Sequence, residues 1–242
     1  MAFFSIKMLG LDYITQKSTL LKMKSFVLLL LASCFYFQVP AQMIYSLQDP
    51  VRARSFSAVK YSGVRGTPFI NEDWLAGSVT TTRGIYQNLQ LKYNVYDNLL
   101  IFQQNDEAYE MTDQIVGFTL KPAPADSTTF MIFKNGISGS DIRPSNFVQV
   151  LAEGKASLYK MPAKQMAEVT EVNAGMVKVF ANNNKYYLSV NNNLQRVQIK
   201  KADILQALAD KADKLEVFIK DKKLSFKKEA DLLVLIQYYN LL

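Results

Sequence analysis

Acidic side chains are the residues of this chain with the most chemical promise. Glu72-Asp73, Asp97, Asp106-Glu107, Glu110 and Asp113 fall close together in sequence. Two carboxylates facing one another across a cleft can hydrolyse a glycosidic bond, one as acid and one as base or nucleophile. Glu72 and Asp73 adjoin Trp74, and a tryptophan beside acids suits a sugar face. A core anchor at the entrance to the first strand explains the same tryptophan more simply. Asp106, Glu107, Glu110 and Asp113 read as a solvated loop, and their spacing does not reproduce a calcium-binding EF-hand loop.

Most other chemistry is excluded by composition. The chain has no histidine and a single cysteine, Cys34. Serine and cysteine triads therefore lack their base, and zinc lacks its preferred nitrogen and sulfur ligands. Gly63-Val64-Arg65-Gly66 is too short for a phosphate-cradling loop and sits in no βαβ unit. What remains is carboxylate chemistry or a Ser-Lys pair. No cofactor, metal or catalytic residue is assigned from the sequence, and an enzyme is not the favoured expectation.

Tyrosines offer a second kind of site. Tyr86, Tyr93, Tyr96, Tyr109, Tyr159, Tyr186 and Tyr187 lie in one β-rich region. They could line an aromatic surface for glycan, peptide or lipid, with Trp74, Tyr93 and Tyr96 as the candidate ligand contacts. Equally, tyrosine suits a half-exposed strand, ring on apolar neighbours and hydroxyl in water.

The front of the chain sets the compartment. Met23-Lys24, an apolar run over 26–32 and Val39-Pro40-Ala41 before Gln42 match a secretory signal. Residues 23–41 are thus expected to be a signal peptide cut between Ala41 and Gln42. Residues 1–22 read as an N-terminal extension or a mis-assigned start. The apolar run is too short for a span, which needs roughly 20 apolar residues. Leu31-Ala32-Ser33-Cys34 also fits a lipobox, with lipidation at Cys34 as the alternative. The formal charge is +7. Lys7, Lys17, Lys22 and Lys24 outnumber Asp12 in the front segment, so the excess after cleavage is smaller. Lysines from Lys200 to Lys228 alternate with acids, as on a solvated face, and give no nucleic-acid footprint.

These residues must be positioned by an antiparallel sheet. Residues 42–76 are irregular, with a strand or short helix over Arg52, Arg54, Phe56 and Val59-Lys60-Tyr61. Across 85–96, Leu89, Leu91, Tyr93 and Val95 share one face, and Gln90, Lys92, Asn94 and Tyr96 the other, the period of a half-buried strand. Further strands are expected at 78–82, 99–103, 114–120, 128–133, 147–152, 156–161, 176–180, 185–190 and 194–199. Turns fall at Arg83-Gly84, Asp97-Asn98, Glu153-Gly154 and the asparagine runs 182–184 and 191–193. Proline keeps 121–127 in a loop. From Lys200 the period becomes helical. Ile204, Leu205 and Leu208 mark one helix, Leu215, Phe218 and Ile219 a second, and Leu232, Leu235, Ile236 and Tyr239 a third. The expected fold is α+β: a 77–200 antiparallel meander (a curved sheet, half-barrel or barrel) with about three helices over 201–242 packed on it.

Trp74-Leu75-Ala76-Gly77-Ser78-Val79 and Leu91-Lys92-Tyr93-Asn94-Val95-Tyr96-Asp97 carry a family likeness. So do Phe147 to Lys155, Leu158-Tyr159-Lys160, and Leu224, Lys228 to Leu232 and Tyr238-Tyr239-Asn240. Together they resemble an uncharacterised family of exported Bacteroidota proteins. The resemblance implies an origin and a fold, and it supplies no activity. The expected function is that of an exported cell-envelope protein, periplasmic or outer-membrane-associated. Its curved sheet would serve as a non-catalytic binding or interaction module. Its partner would be a protein, a glycan or an apolar ligand of the envelope, with no nucleic acid and no transmembrane span in the mature chain. A carboxylate-dependent glycan hydrolase and a structural subunit of an envelope assembly are the alternatives. A chain closing in a helical pattern instead of a terminal strand points to the periplasm.

Overall fold

Alternation and turn chemistry together lay the chain out as one long antiparallel meander. The computed structural model describes residues 44–45, 53–122, 130–139, 141–173 and 175–242. The signal segment 23–41, Ala41 and Gln42 at its cut, Cys34, the 1–22 extension and residues 123–129 lie outside the described residues.

The strands in chain order begin with β1 (Ile44–Tyr45), β2 (Ala53–Ser55), β3 (Val64–Arg65), β4 (Leu75–Thr81) and β5 (Ile85–Asn94). There follow β6 (Leu99–Gln104), β7 (Glu107–Met111), β8 (Ile115–Leu120), β9 (Met131–Lys134) and β10 (Val148–Ala152). The last are β11 (Ala156–Met161), β12 (Lys164–Glu171), β13 (Gly175–Asn182), β14 (Lys185–Val190) and β15 (Asn193–Val197). Among the described residues, one sheet runs β15-β14-β11-β10-β9-β8-β4-β5-β6-β7-β2, with β1 added parallel to β5. Every other pairing in that sheet is antiparallel. The sheet is an open, curved meander with β15 and β2 at its ends.

Asparagine makes the tight corners. Asn98 turns the chain into β6 at φ 58°, and Asn191 and Asn192 join β14 to β15 at 51° and 62°. A two-residue hairpin of type I′ takes positive φ at both central residues, which asparagine tolerates best after glycine. The same device corrects one expectation. The stretch expected to be a solvated loop holds β7, because Asn105 and Asp106 take φ 50° and 63° and return the chain against β6. Of the acids there, Glu107 and Glu110 stand on the strand, while Asp106 lies in the turn before it and Asp113 in the bend after it. A second addition is β12, where the sequence suggested nothing. The region before β4 contains both forms considered for it, the short strand β2 and a 3-10 turn over Ala58–Tyr61.

Two large apolar cores and a small cluster of Ile142, Val148 and Tyr187 lie along the sheet. The first gathers Leu91, Tyr93, Leu100, Phe102, Phe118, Leu120 and Phe133, all nearly free of solvent. The second joins Leu158, Leu188 and Val197 of the sheet to the helices α1 (Lys201–Ala207), α2 (Ala212–Lys222) and α3 (Glu229–Leu241). Ile204, Leu208, Leu215, Leu232, Leu235 and Ile236 are each 0% exposed, so all three expected stripes face inward. Burying one such side chain is worth about 1.5–3 kcal/mol, and helices this short depend on it. The last turn of α3 is clamped to the sheet by Asn240, which accepts from Ala156 N (2.8 Å) and donates to Ala156 O (2.9 Å).

Candidate functional site

The sequence candidates are dispersed by the fold. Tyr93 is 2% exposed and forms the hub of the first core, edge-on to Phe118, Phe133 and Phe147. Its hydroxyl donates to Asn98 Oδ1 (2.9 Å), and burial pushes the phenol well above its ordinary pKa. This is a packing role, with no surface left for a ligand. Trp74 is half-buried and its face is taken by Lys92, whose Nζ lies 4.9 Å from the indole and 5.4 Å from the Phe69 ring. Tyr96 sits apart from both, in a trio of rings with Tyr61 and Phe180.

The acids pair with cations and phenols, not with each other. Asp97 receives Lys60 Nζ (2.5 Å) and the Tyr61 hydroxyl. Glu110 holds Arg54 (2.8 Å), Glu107 accepts from Tyr109 (2.5 Å), and Asp113 binds Arg83 and the Tyr86 hydroxyl. Glu72 and Asp73 are exposed on the loop before β4. Asp141, which the sequence did not single out, follows the same pattern with Tyr187, Lys185 and Arg196. Burial alone would raise its carboxyl. The hydrogen bonds from Tyr187 and Lys185 outweigh that, helped by the charges of Lys185 and Arg196, and hold it below the ordinary carboxylate range. A glycosidase acid needs the opposite shift. Among the described residues there is no group of three or more acidic or thiol side chains able to hold a metal ion.

Grooves are present but shallow. One of about 480 Å³ is lined by Met111, Ile115 and Phe147 together with Asn98, Gln114 and Asn135. The asparagines are committed: Asn98 donates to Ser145 O and accepts from Phe147 N, and Asn135 donates to Ile115 O. They fix loops.

The hairpin of β12 and β13 has a different character. With β3 it makes a separate sheet, β12-β13-β3. Its base is fastened to the body. Lys164 Nζ donates to Thr67 O (2.6 Å) and Phe69 O (2.7 Å), and Phe180 packs on Tyr61 and Tyr96. Burial lowers the Lys164 pKa, with the Glu72 charge opposing. Beneath, fully buried Asn94 donates through Nδ2 to Tyr61 Oη, and its Oδ1 accepts from Tyr96 N and Asp97 N (3.1 Å each). Each polar bond here fixes the aromatic socket in which the hairpin is set.

Beyond that socket the hairpin is bare. No residue of β12 or β13 is buried, yet both strands carry large apolar side chains. Val172 at the tip is 102% exposed and Met176 70%, with Met166 and Val169 also exposed. Apolar groups clustered on a projecting element mark contact surfaces. Sequence reasoning missed β12 because Lys-Gln-Met-Ala-Glu is poor in β-formers. The usable signal was its partner: the strand from Met176, preceded by Asn173 and Gly175, needs a mate upstream. Among the described residues, no helix is long and apolar enough to cross a membrane. Comparison of the chain with protein-family models, with curated proteins and with solved structures gave no match.

Proposed function

We propose that this is an exported cell-envelope protein acting as a non-catalytic interaction module, and that the β12–β13 hairpin is the part that meets the partner. Export rests on the signal pattern of residues 23–41. The hairpin carries the rest: it exposes Met166, Val169, Val172 and Met176 on an element that buries none of them, while its base is tightly built. Such an arrangement costs solubility unless the surface is used. The pairing of Asp97, Glu107, Glu110 and Asp113 with cations and phenols favours this over the glycan hydrolase. Assembly into a larger envelope structure is a particular form of the same reading.

The test is site-specific photo-crosslinking in cells that make the protein. A crosslinking amino acid at Val172 or Met176 should yield discrete adducts, and one at Val217 (exposed on α2) should not. Equal labelling at all three positions, or none at the hairpin, would defeat the reading.

A further inference from the structure

We infer that β12 is a self-pairing edge, by which a second copy of this chain docks antiparallel about a two-fold axis through Val169. The inference deepens the interaction reading above and rests on it.

The first observation is an unprotected edge. Among the described residues β12 pairs as a strand only with β13, over eight consecutive pairs with no break in register. Natural edges of that length are normally blunted by proline, a bulge or charged side chains, lysine above all. The sequence Lys-Gln-Met-Ala-Glu-Val-Thr-Glu has no proline and no bulge, its one lysine turns back to Thr67 and Phe69, and its one mid-strand charge, Glu168, stands across from Lys178. A row of backbone donors and acceptors left open in this way is matched by another β-strand.

The second observation selects the strand. Two identical antiparallel edges meet about a two-fold perpendicular to the sheet, so opposing residues lie equally far from the axis and on the same face. An axis through Glu168 would set that carboxylate against itself, and like charges directly opposite repel. One through Ala167 would set Met166 against Glu168. With the axis through Val169, Val169 faces its own copy and Met166 faces Val172. Those are the exposed apolar residues of the strand and its turn. Glu168 then faces Thr170 while keeping Lys178 across the hairpin. Glu171 faces Ala167 and remains bound to Arg65. Val177, directly opposite Val169 in the hairpin, extends the contact to a row of four valines across the joined sheets. No like charges oppose each other. The contact is small, so the dimer belongs among the weak, micromolar class.

The experiment uses the full chain in a Cys34→Ser background, which makes any introduced thiol the only one. Val169→Cys should form a covalent dimer on mild oxidation. Ala167→Cys should not, because its two copies lie four strand positions apart, about 13 Å. In sedimentation velocity the unsubstituted chain should show a concentration-dependent dimer. Val169→Lys should shift it at least about tenfold to higher concentration with an unchanged circular dichroism spectrum, two lysines being opposed at the axis. A chain monomeric at about 100 µM, well above the concentrations at which so small a contact should assemble, overturns the inference. Equal crosslinking of both cysteine variants does the same. If the monomeric chain still photo-crosslinks a different polypeptide through Val172, self-pairing falls while the interaction module stands. A hairpin that crosslinks nothing removes both.

Discussion

Asn240 and Gly154 offer the sharpest test of how the helices hold the sheet. The Asn240 amide meets both backbone groups of Ala156, at 2.8 and 2.9 Å, and reaches Glu153 O at 3.5 Å. Ala156 is 0% exposed with the amide in place, so its N–H and C=O lose their partner in a buried setting when the amide is removed. An orphaned buried backbone group costs about 1–3 kcal/mol, and Asn240→Ala should therefore lose about 2–3 kcal/mol. At about 2–4 °C per kcal/mol for a domain of this size, Tm should fall by about 5–10 °C. Gly154 faces the same amide. A Cβ there would lie 2.5 Å from both Cγ and Nδ2 of Asn240. Gly154→Ala should evict the asparagine and cost about 1–3 kcal/mol by overcrowding. The two changes attack one contact, and the clashing atoms are those that Asn240→Ala removes. The double variant should therefore be little worse than Asn240→Ala alone, with a coupling of at least about 1 kcal/mol. Urea denaturation followed by circular dichroism on the four proteins measures it. Losses that simply add, within about 0.5 kcal/mol, would show that the clamp is not what the geometry says.

Two further outcomes follow from other sites. Asp141 has a folded pKa below its ordinary value, so its share of stability is present above that value and is lost as pH falls through the lowered one. Asp141→Asn should flatten the acid limb of a stability-against-pH curve and leave its shape above pH 6 unchanged, and an unaltered acid limb refutes the assignment. Gly77→Ala should abolish the soluble native fold, since the added Cβ would stand 2.1 Å from Thr119 O, a backbone atom of the neighbouring strand. A cooperative melt near that of the parent in differential scanning calorimetry would contradict the β4–β8 register.

Local chemistry made much of this legible in the sequence. Period-two alternation over 85–96 needs no knowledge of neighbours, and Leu89, Leu91 and Tyr93 face the core as it implies. The asparagine corners and the three helical stripes are equally local, because φ preferences and a 3.6-residue repeat reside in the chain itself. What failed was decided at a distance. Asn94 stands on the polar face of β5 and would be solvated, but the 58–61 turn, some thirty residues earlier, lies over it and seals it against Tyr61. Tyr93 looked available and is the centre of a core that strands β8, β9 and the start of β10 assemble around it.

The candidate site divides in the same way. Composition alone determined which catalysts this chain cannot be, since an absent imidazole is absent in any fold. It could not say that Asp97, Glu107, Glu110 and Asp113 would each meet a cation or a phenol. Strand β12 has weak β-formers and owes its shape to pairing with β13, whose own sequence is strong enough to template it. Whether its edge stays open depended on where the meander places every other strand. Residue types fix backbone preference and chemical capability one position at a time, but exposure is a property of the whole packing, and only the tertiary structure left this hairpin unpaired along β12 among the described residues.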